Sequence, residues 1–119
     1  MANNTEHQFM ICKAKLVPGF VSDSWVLITK LVLPVHGLEV NIEPLVTGSP
    51  EGTLQRDDDW GYVMNVTVSD PGGQHPQVLE NKTVSVDVSN YIGSSGIRVK
   101  NSFSGEIRKV KKGQEFSGF

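Results

Sequence analysis

The residues with the clearest chemical potential form the run Asp57–Trp60, in which three consecutive carboxylates precede an aromatic ring. Loop carboxylates are ligands that Ca²⁺ prefers, and a Trp at the rim of a site can stack on a sugar. Because successive side chains of an extended segment diverge, only Asp57 and Asp59 can face one ion, with help from Asp70 or Glu80. The alternative is a solvated acidic turn before a core Trp.

The three histidines, His7, His36 and His75, show no metal-ligand spacing, and the chain has one cysteine. Zinc sites commonly cluster Cys and His, so no zinc site is expected, and no other metal or cofactor is predicted. His75 and Asp70 lie in one loop and are the only pair that suggests a hydrolase base with its orienting acid. The alternative is two exposed loop residues.

Charge is distributed unevenly along the chain. Residues 1–97 carry five Lys or Arg and eleven Asp or Glu, whereas residues 98–119 carry six and two. The basic tail has no interleaved aromatic residues for base stacking, and the acidic body would repel nucleic acid, so no nucleic-acid partner is expected. The tail lysines favour a solvated edge strand instead.

Apolar and polar residues alternate in several short runs, the pattern of half-buried strands. The clearest run covers residues 82–90, where Val84, Val86 and Val88 share one face. Residues 38–43 and 60–69 repeat the pattern, and the first strand places Met10, Cys12, Ala14 and Leu16 on one face. Cys12 is therefore expected in the core.

Residues 24–34 differ, because Val26, Ile28 and Val32 form a second apolar face on the same run. Such a strand is expected to be covered on both faces, by a second layer or loop or by a subunit interface. Turn residues separate the runs at short intervals, and two longer connections, residues 47–59 and 70–81, are where binding is expected.

These patterns predict an all-β fold: a single-domain antiparallel β-sandwich of about seven strands over residues 1–119, with a small β-barrel as the alternative. Segments 1–7 and 113–119 are predicted to be flexible or docked tails. The N-terminus has neither a basic start nor an apolar stretch, and no apolar run is long enough to cross a bilayer. A soluble, cytoplasmic protein without a membrane partner is therefore expected.

The lack of a catalytic signature favours a non-enzymatic binding or assembly module that acts through protein–protein contacts or self-association. A carbohydrate-binding, lectin-like and calcium-dependent module is the first alternative, and a small hydrolase is the second. The predicted ligand-binding residues are Asp57, Asp59, Trp60 and His75, with no catalytic or metal-binding residue assigned.

Overall fold

The computed structural model describes residues 8–45 and 57–117, and eight strands account for the regular structure in these ranges. No helix occurs in these ranges, and hence none that could cross a membrane. The strands are β1 (Met10–Pro18), β2 (Trp25–Leu33), β3 (Glu39–Leu45), β4 (Val63–Ser69), β5 (Glu80–Asp87), β6 (Gly96–Asn101), β7 (Ile107–Lys111) and β8 (Glu115–Ser117).

The strands form two four-stranded sheets, with orders β5-β2-β1-β8 and β3-β4-β6-β7. All neighbours pair antiparallel except β4 and β6, which are parallel. Side chains from both sheets meet in one hydrophobic cluster, to which β1, β2, β4, β6 and β7 contribute fully buried residues. The predicted all-β sandwich is confirmed, and the additional strand, β8, lies within the tail that was predicted to be flexible or docked.

One side of the sandwich is sealed by the chain itself, and we call it the sealed side. After β7 the chain leaves one sheet, bridges Lys112 to Leu16 of β1, and enters the other sheet as β8. The amide of Gly113 donates to the Leu16 carbonyl at 2.9 Å. The chain therefore connects the edge strand β7 of one sheet to the edge strand β8 of the other, and this connection is hydrogen-bonded to β1.

The opposite side is bordered by β5 and β3, the remaining end strands of the two sheets, and we call it the open side. In the described ranges no backbone ladder joins these two strands. Side chains near the start of β5 instead contact the turn that precedes β3: Lys82 Nζ donates to the Leu38 carbonyl at 3.0 Å, and Glu80 Oε1 accepts from the Gly37 amide at 3.1 Å.

A β-bulge at Cys12 changes the phase of β1, and the prediction for this residue was wrong. The pairing with β2 shifts between Ile11 and Lys13, so one extra residue is inserted there. Ile11 and Ala14 are both buried as a result, whereas Met10 is exposed and Cys12 is only half-buried. Strict alternation cannot represent an inserted residue.

The second apolar face of β2 is half-buried. Leu27, Leu31 and Leu33 fill the core, whereas Val26, Ile28 and Val32 retain partial exposure on the other face. Their neighbours across the ladder include Lys15 of β1 and exposed polar residues of β5. The sheet therefore covers these side chains in part, and the predicted complete cover is not present in the described chain.

Candidate functional site

The first carboxylate of the acidic run is used to build a turn. Asp57 and Gly61 exchange backbone hydrogen bonds at 2.9 and 2.7 Å. Asp57 Oδ1 also accepts from the amides of Trp60 and Asp59, at 3.0 and 2.8 Å. These two amides are the main reason that the pKa of the Asp57 carboxyl is lowered. The carboxylate thus stabilises its own loop.

The turn is fastened to the loop before β6 through Asp59. The Asp59 carbonyl accepts from the amides of Ser95 and Gly96 at 2.8 and 3.2 Å, and its Oδ1 accepts from the Ser94 hydroxyl at 3.2 Å. Asp70, which was expected to help bind an ion, instead contacts His75. Among residues 8–45 and 57–117, no group of three or more acidic, His or Cys side chains could hold a metal ion.

Trp60 is half-buried, and other residues contact its ring. Lys109 Nζ lies over the ring, 5.3 Å from its centre, and a Cβ added to Gly96 would lie 3.0 Å from the ring carbon Cζ3. The ring therefore lies against β6, with an ammonium group over it. Sequence reasoning missed this pairing, because Lys109 is far from Trp60 along the chain.

His75 does meet Asp70, as the hydrolase hypothesis requires, but both ring nitrogens are occupied. Nε2 lies 2.6 Å from Asp70 Oδ1, and Nδ1 lies 2.9 Å from the His36 carbonyl. A carbonyl and a carboxylate both accept, so these two contacts favour the ring with an N–H on each nitrogen, the imidazolium. The hydrogen bond to Asp70 is the largest cause of the raised pKa of His75. A general base needs a nitrogen lone pair, which the ring has only after it loses a proton and one of these two hydrogen bonds.

The His75 contacts fix the β4–β5 loop on the turn between β2 and β3, and we call them the His75 latch. Asp70 Oδ1 also accepts from the Gly72 amide at 2.7 Å, and the His36 amide donates to the Pro76 carbonyl at 3.2 Å. The latch holds the loop that leads directly into β5. Of the two predicted binding loops, residues 70–79 are thus well anchored, whereas residues 47–56 lie outside the described chain.

Exposed apolar side chains cluster where this loop enters β5. Leu79 is 68% exposed and Met10 is 60% exposed, and both border a groove of about 140 Å³. The groove is lined by Gln8, Phe9, Met10, Val32, Leu33, Pro34 and Leu79. Phe20 and Val21 form another exposed apolar pair, at the tip of the β1–β2 hairpin and thus at the other end of these strands.

The β5 strand itself is a long edge with few obstacles to pairing. It pairs with β2 without interruption from Glu80 to Asp87 and has no partner strand on its other side within the described residues. Val84 and Val86 point toward the core but are half-buried, as are Val40 and Ile42 of β3. The open side therefore combines unpaired strand edges with incompletely covered β-branched side chains.

The other end strands carry features that discourage pairing. Strand β3 contains Pro44, which lacks an amide hydrogen, and two glutamates. Strand β7 carries Lys109 and Lys111, in agreement with the predicted edge role of the tail lysines, and β8 has only three residues. Strand β5 has no proline and no bulge. Of its two charged residues on the core face, Glu80 accepts from the Gly37 amide and Lys82 donates to the Leu38 carbonyl.

The candidate surface is therefore the β5 edge with Leu79, and the predicted ligand-binding residues lie apart from it or support it. Asp57, Asp59 and Trp60 build a turn against β6, and His75 anchors the loop that precedes β5. Comparison of the chain with protein-family models, curated proteins and solved structures gives no match.

Proposed function

We propose that the chain is a non-enzymatic binding module that takes up a protein strand along its open side. The partner strand would add to the β5 edge and cover Val84 and Val86. Strand addition of this kind obtains affinity from backbone hydrogen bonds and selectivity from alternate side chains.

The observation that carries the proposal is the contrast between β5 and the other end strands. The β5 edge is eight residues long. An unprotected edge of this length is a liability that sheets usually avoid with prolines, bulges or charges. Here β3 contains a proline and β7 carries exposed lysines, whereas β5 has neither a proline nor a bulge, and its inward charges Glu80 and Lys82 are already hydrogen-bonded within the chain. An accessible β5 edge beside end strands that are protected against pairing is what we expect if β5 pairs with a partner strand.

The remaining hypotheses receive less support from the geometry. Both ring nitrogens of His75 have hydrogen-bond partners, so its contact with Asp70 gives less support to a hydrolase base than to an anchor for the loop. The Lys109 ammonium covers one face of the Trp60 ring on which a sugar would stack. Neither observation concerns β5, so the binding proposal is independent of both.

The proposal can be tested with a photo-crosslinking amino acid at Ser85, an exposed position of β5. The matched control carries the same amino acid at Ile107, an exposed position of β7 that is 38% accessible. In the native host, Ser85 should give one discrete protein adduct that Ile107 does not give. A Thr83→Glu/Ser85→Glu variant should lose binding of the partner protein in vivo while remaining folded.

Indistinguishable adducts from the two positions, or no adduct from Ser85 under conditions in which the label reacts, would contradict the proposal. The identity of the adduct is a separate question from its existence. A second copy of this chain and a different protein both support strand addition, and they are separated in the next experiment.

A further inference from the structure

We infer that the strand taken up by β5 is β5 of a second copy, paired antiparallel about a two-fold axis at Val84; this inference rests on the proposed function. The two copies would join their β5-β2-β1-β8 sheets into one continuous eight-stranded sheet. Such closure removes the β5 edge of both copies at once, and two-fold self-pairing is the commonest symmetry of protein assembly.

The side-chain faces restrict which residue can lie on the axis. Residues directly opposite in an antiparallel pair point to the same face of the sheet. Val84 and Val86 point toward the core, whereas Asn81, Thr83, Ser85 and Asp87 are exposed on the other face. A slip of one residue would set a valine opposite an exposed position, so only registers centred on a residue keep the faces matched.

Three centred registers are available near the middle of β5, and the one at Val84 fits best. An axis at Thr83 sets Glu80 opposite Val86 and Lys82 opposite Val84, so two charges face valines on the core side. An axis at Ser85 leaves only residues 83–87 of the strand paired.

The axis at Val84 pairs residues 81–87 and makes the exposed face self-complementary. Thr83 lies opposite Ser85, and Asn81 lies opposite Asp87, so each pair contains a donor and an acceptor and occurs twice. On the core face, Val84 meets Val84 of the second copy.

Lys82 does not obstruct this register. Its ammonium group is drawn to the Leu38 carbonyl, 3.0 Å away, so the aliphatic stem remains to cover Val86 of the second copy. The same register brings the exposed Leu79 level with Ser89 of the second copy, just beyond the end of its β5. The apolar residue at the entry to β5 thereby gains a neighbour.

A single strand pair is expected to bury less than the roughly 1,200 Å² at the lower end of standard interfaces. The dimer is therefore expected to be weak and concentration-dependent. The test is sedimentation equilibrium on the intact chain and on two variants at exposed positions. Thr83→Glu/Ser85→Glu sets like charges opposite each other twice and should weaken dimerisation about tenfold. The glutamate introduced at position 83 would lie beside Lys30 of its own copy, so the monomer is not expected to suffer.

The second variant, Thr83→Glu/Ser85→Lys, sets opposite charges together only when the axis lies at Val84, and it should dimerise at least as well as the unmodified chain. An axis at Thr83 would oppose two glutamates, and an axis at Ser85 would oppose two lysines. Loss of dimerisation in this variant would therefore overturn the register.

Two other outcomes would overturn the inference as a whole. These are a monomeric unmodified chain at millimolar concentration and an unchanged dimer in Thr83→Glu/Ser85→Glu. A monomer that still gives a discrete adduct to another protein from Ser85 would reject the second copy and leave the proposed function intact. A monomer without an adduct would reject both.

Discussion

The sealed side and the open side of the sandwich close the same core by different means. On the sealed side the chain passes from β7 into β8 and bonds to β1 through Leu16. On the open side of the described chain, no backbone ladder joins β5 and β3, and Lys82 and Glu80 of β5 contact the turn that precedes β3. The first arrangement satisfies backbone groups internally, whereas the second leaves them for water or a partner.

This difference separates the surface that stabilises the fold from the surface that we propose for binding. Fully buried core residues belong mainly to β1, β2, β4 and β6, and the valines of β5 are only half-buried. Substitutions near the sealed side should therefore affect folding, whereas exposed substitutions on β5 should affect association alone.

The largest effect is expected at Gly61, which joins the Asp57 turn to the loop before β6. Gly61 has a positive φ of 65°, and an added Cβ would lie 2.0 Å from the Tyr91 carbonyl oxygen. Gly61→Ala should lower the free energy of unfolding by about 3 kcal/mol or more, because strain and overlap combine. Chemical denaturation measures this change.

Gly72→Ala is the matched control on the loop that precedes β5. Gly72 also has a positive φ, 103°, but an added Cβ would meet nothing within 4 Å. It should cost about 1 kcal/mol from backbone strain alone. Equal losses for the two variants would show that the turn at Gly61 is not tightly packed.

The next effect is expected at Asn101, a buried polar residue that ties the β6–β7 turn to the start of β1. Its Nδ2 donates to the Phe9 carbonyl at 3.1 Å, and its Oδ1 accepts from the amides of Phe103 and Ser104 at 2.9 and 3.2 Å. Asn101→Ala leaves these groups without their partner and should cost about 2 to 3 kcal/mol.

Asn41→Ala, at an exposed position of β3, provides the comparison on the open side. Its expected change is within about 0.5 kcal/mol. Thermal unfolding of both variants suffices, and a larger loss at Asn41 than at Asn101 would reverse the proposed division between the two sides.

A smaller and local effect is expected from the His75 latch. The pKa of His75 is raised, chiefly by its hydrogen bond to Asp70, so the latch is complete below the unfolded pKa of 6.5 and is lost as pH rises through the folded value. Neutral His75 retains one N–H and must give up one of its two hydrogen bonds. The protection of the amides in residues 71–79, relative to their intrinsic exchange rates at each pH, should therefore fall as pH rises through the folded pKa of His75.

Asp70→Asn should move this transition to lower pH, because the largest cause of the raised pKa is removed. NMR titration of the His75 ring measures the shift directly. A titration curve that is unchanged by the substitution would show that Asp70 does not hold the imidazolium.

The smallest effect on folding is expected from Thr83→Glu/Ser85→Glu. Both positions are exposed. The free energy of unfolding should therefore change by no more than about 0.5 kcal/mol. The melting temperature of the dilute chain measures this change. A clearly destabilised monomer would mean that these side chains support the fold and are not reserved for association.

The sequence predicted the strands well because alternation records burial directly. The runs that contain Val66, Val84 and Leu31 all became strands, with the predicted apolar face toward the core. It failed at Cys12, where a bulge inserts one residue and exchanges the faces on either side. It also missed β8, because three residues are too few to show a period.

The candidate surface could not be recognised from sequence, although the alternation that defines β5 could. Whether a strand lies at the centre or the edge of a sheet depends on pairing with distant segments, here with β2. The proximity of His75 and Asp70 in one loop suggested a pair, with two exposed loop residues as the alternative, but the His36 carbonyl that occupies the second nitrogen was not foreseen. Backbone acceptors leave no signature in a sequence.

The most direct test of the account is residue-resolved amide hydrogen exchange of the unmodified chain at low and high concentration. We expect added protection with concentration in residues 81–87 of β5, and none in β7, whose lysines guard the other edge. The Thr83→Glu/Ser85→Glu variant should show no such increase. Protection that appears in β7 or β3 instead, or exchange that is independent of concentration throughout, would contradict the assignment of the β5 edge as the surface of self-association.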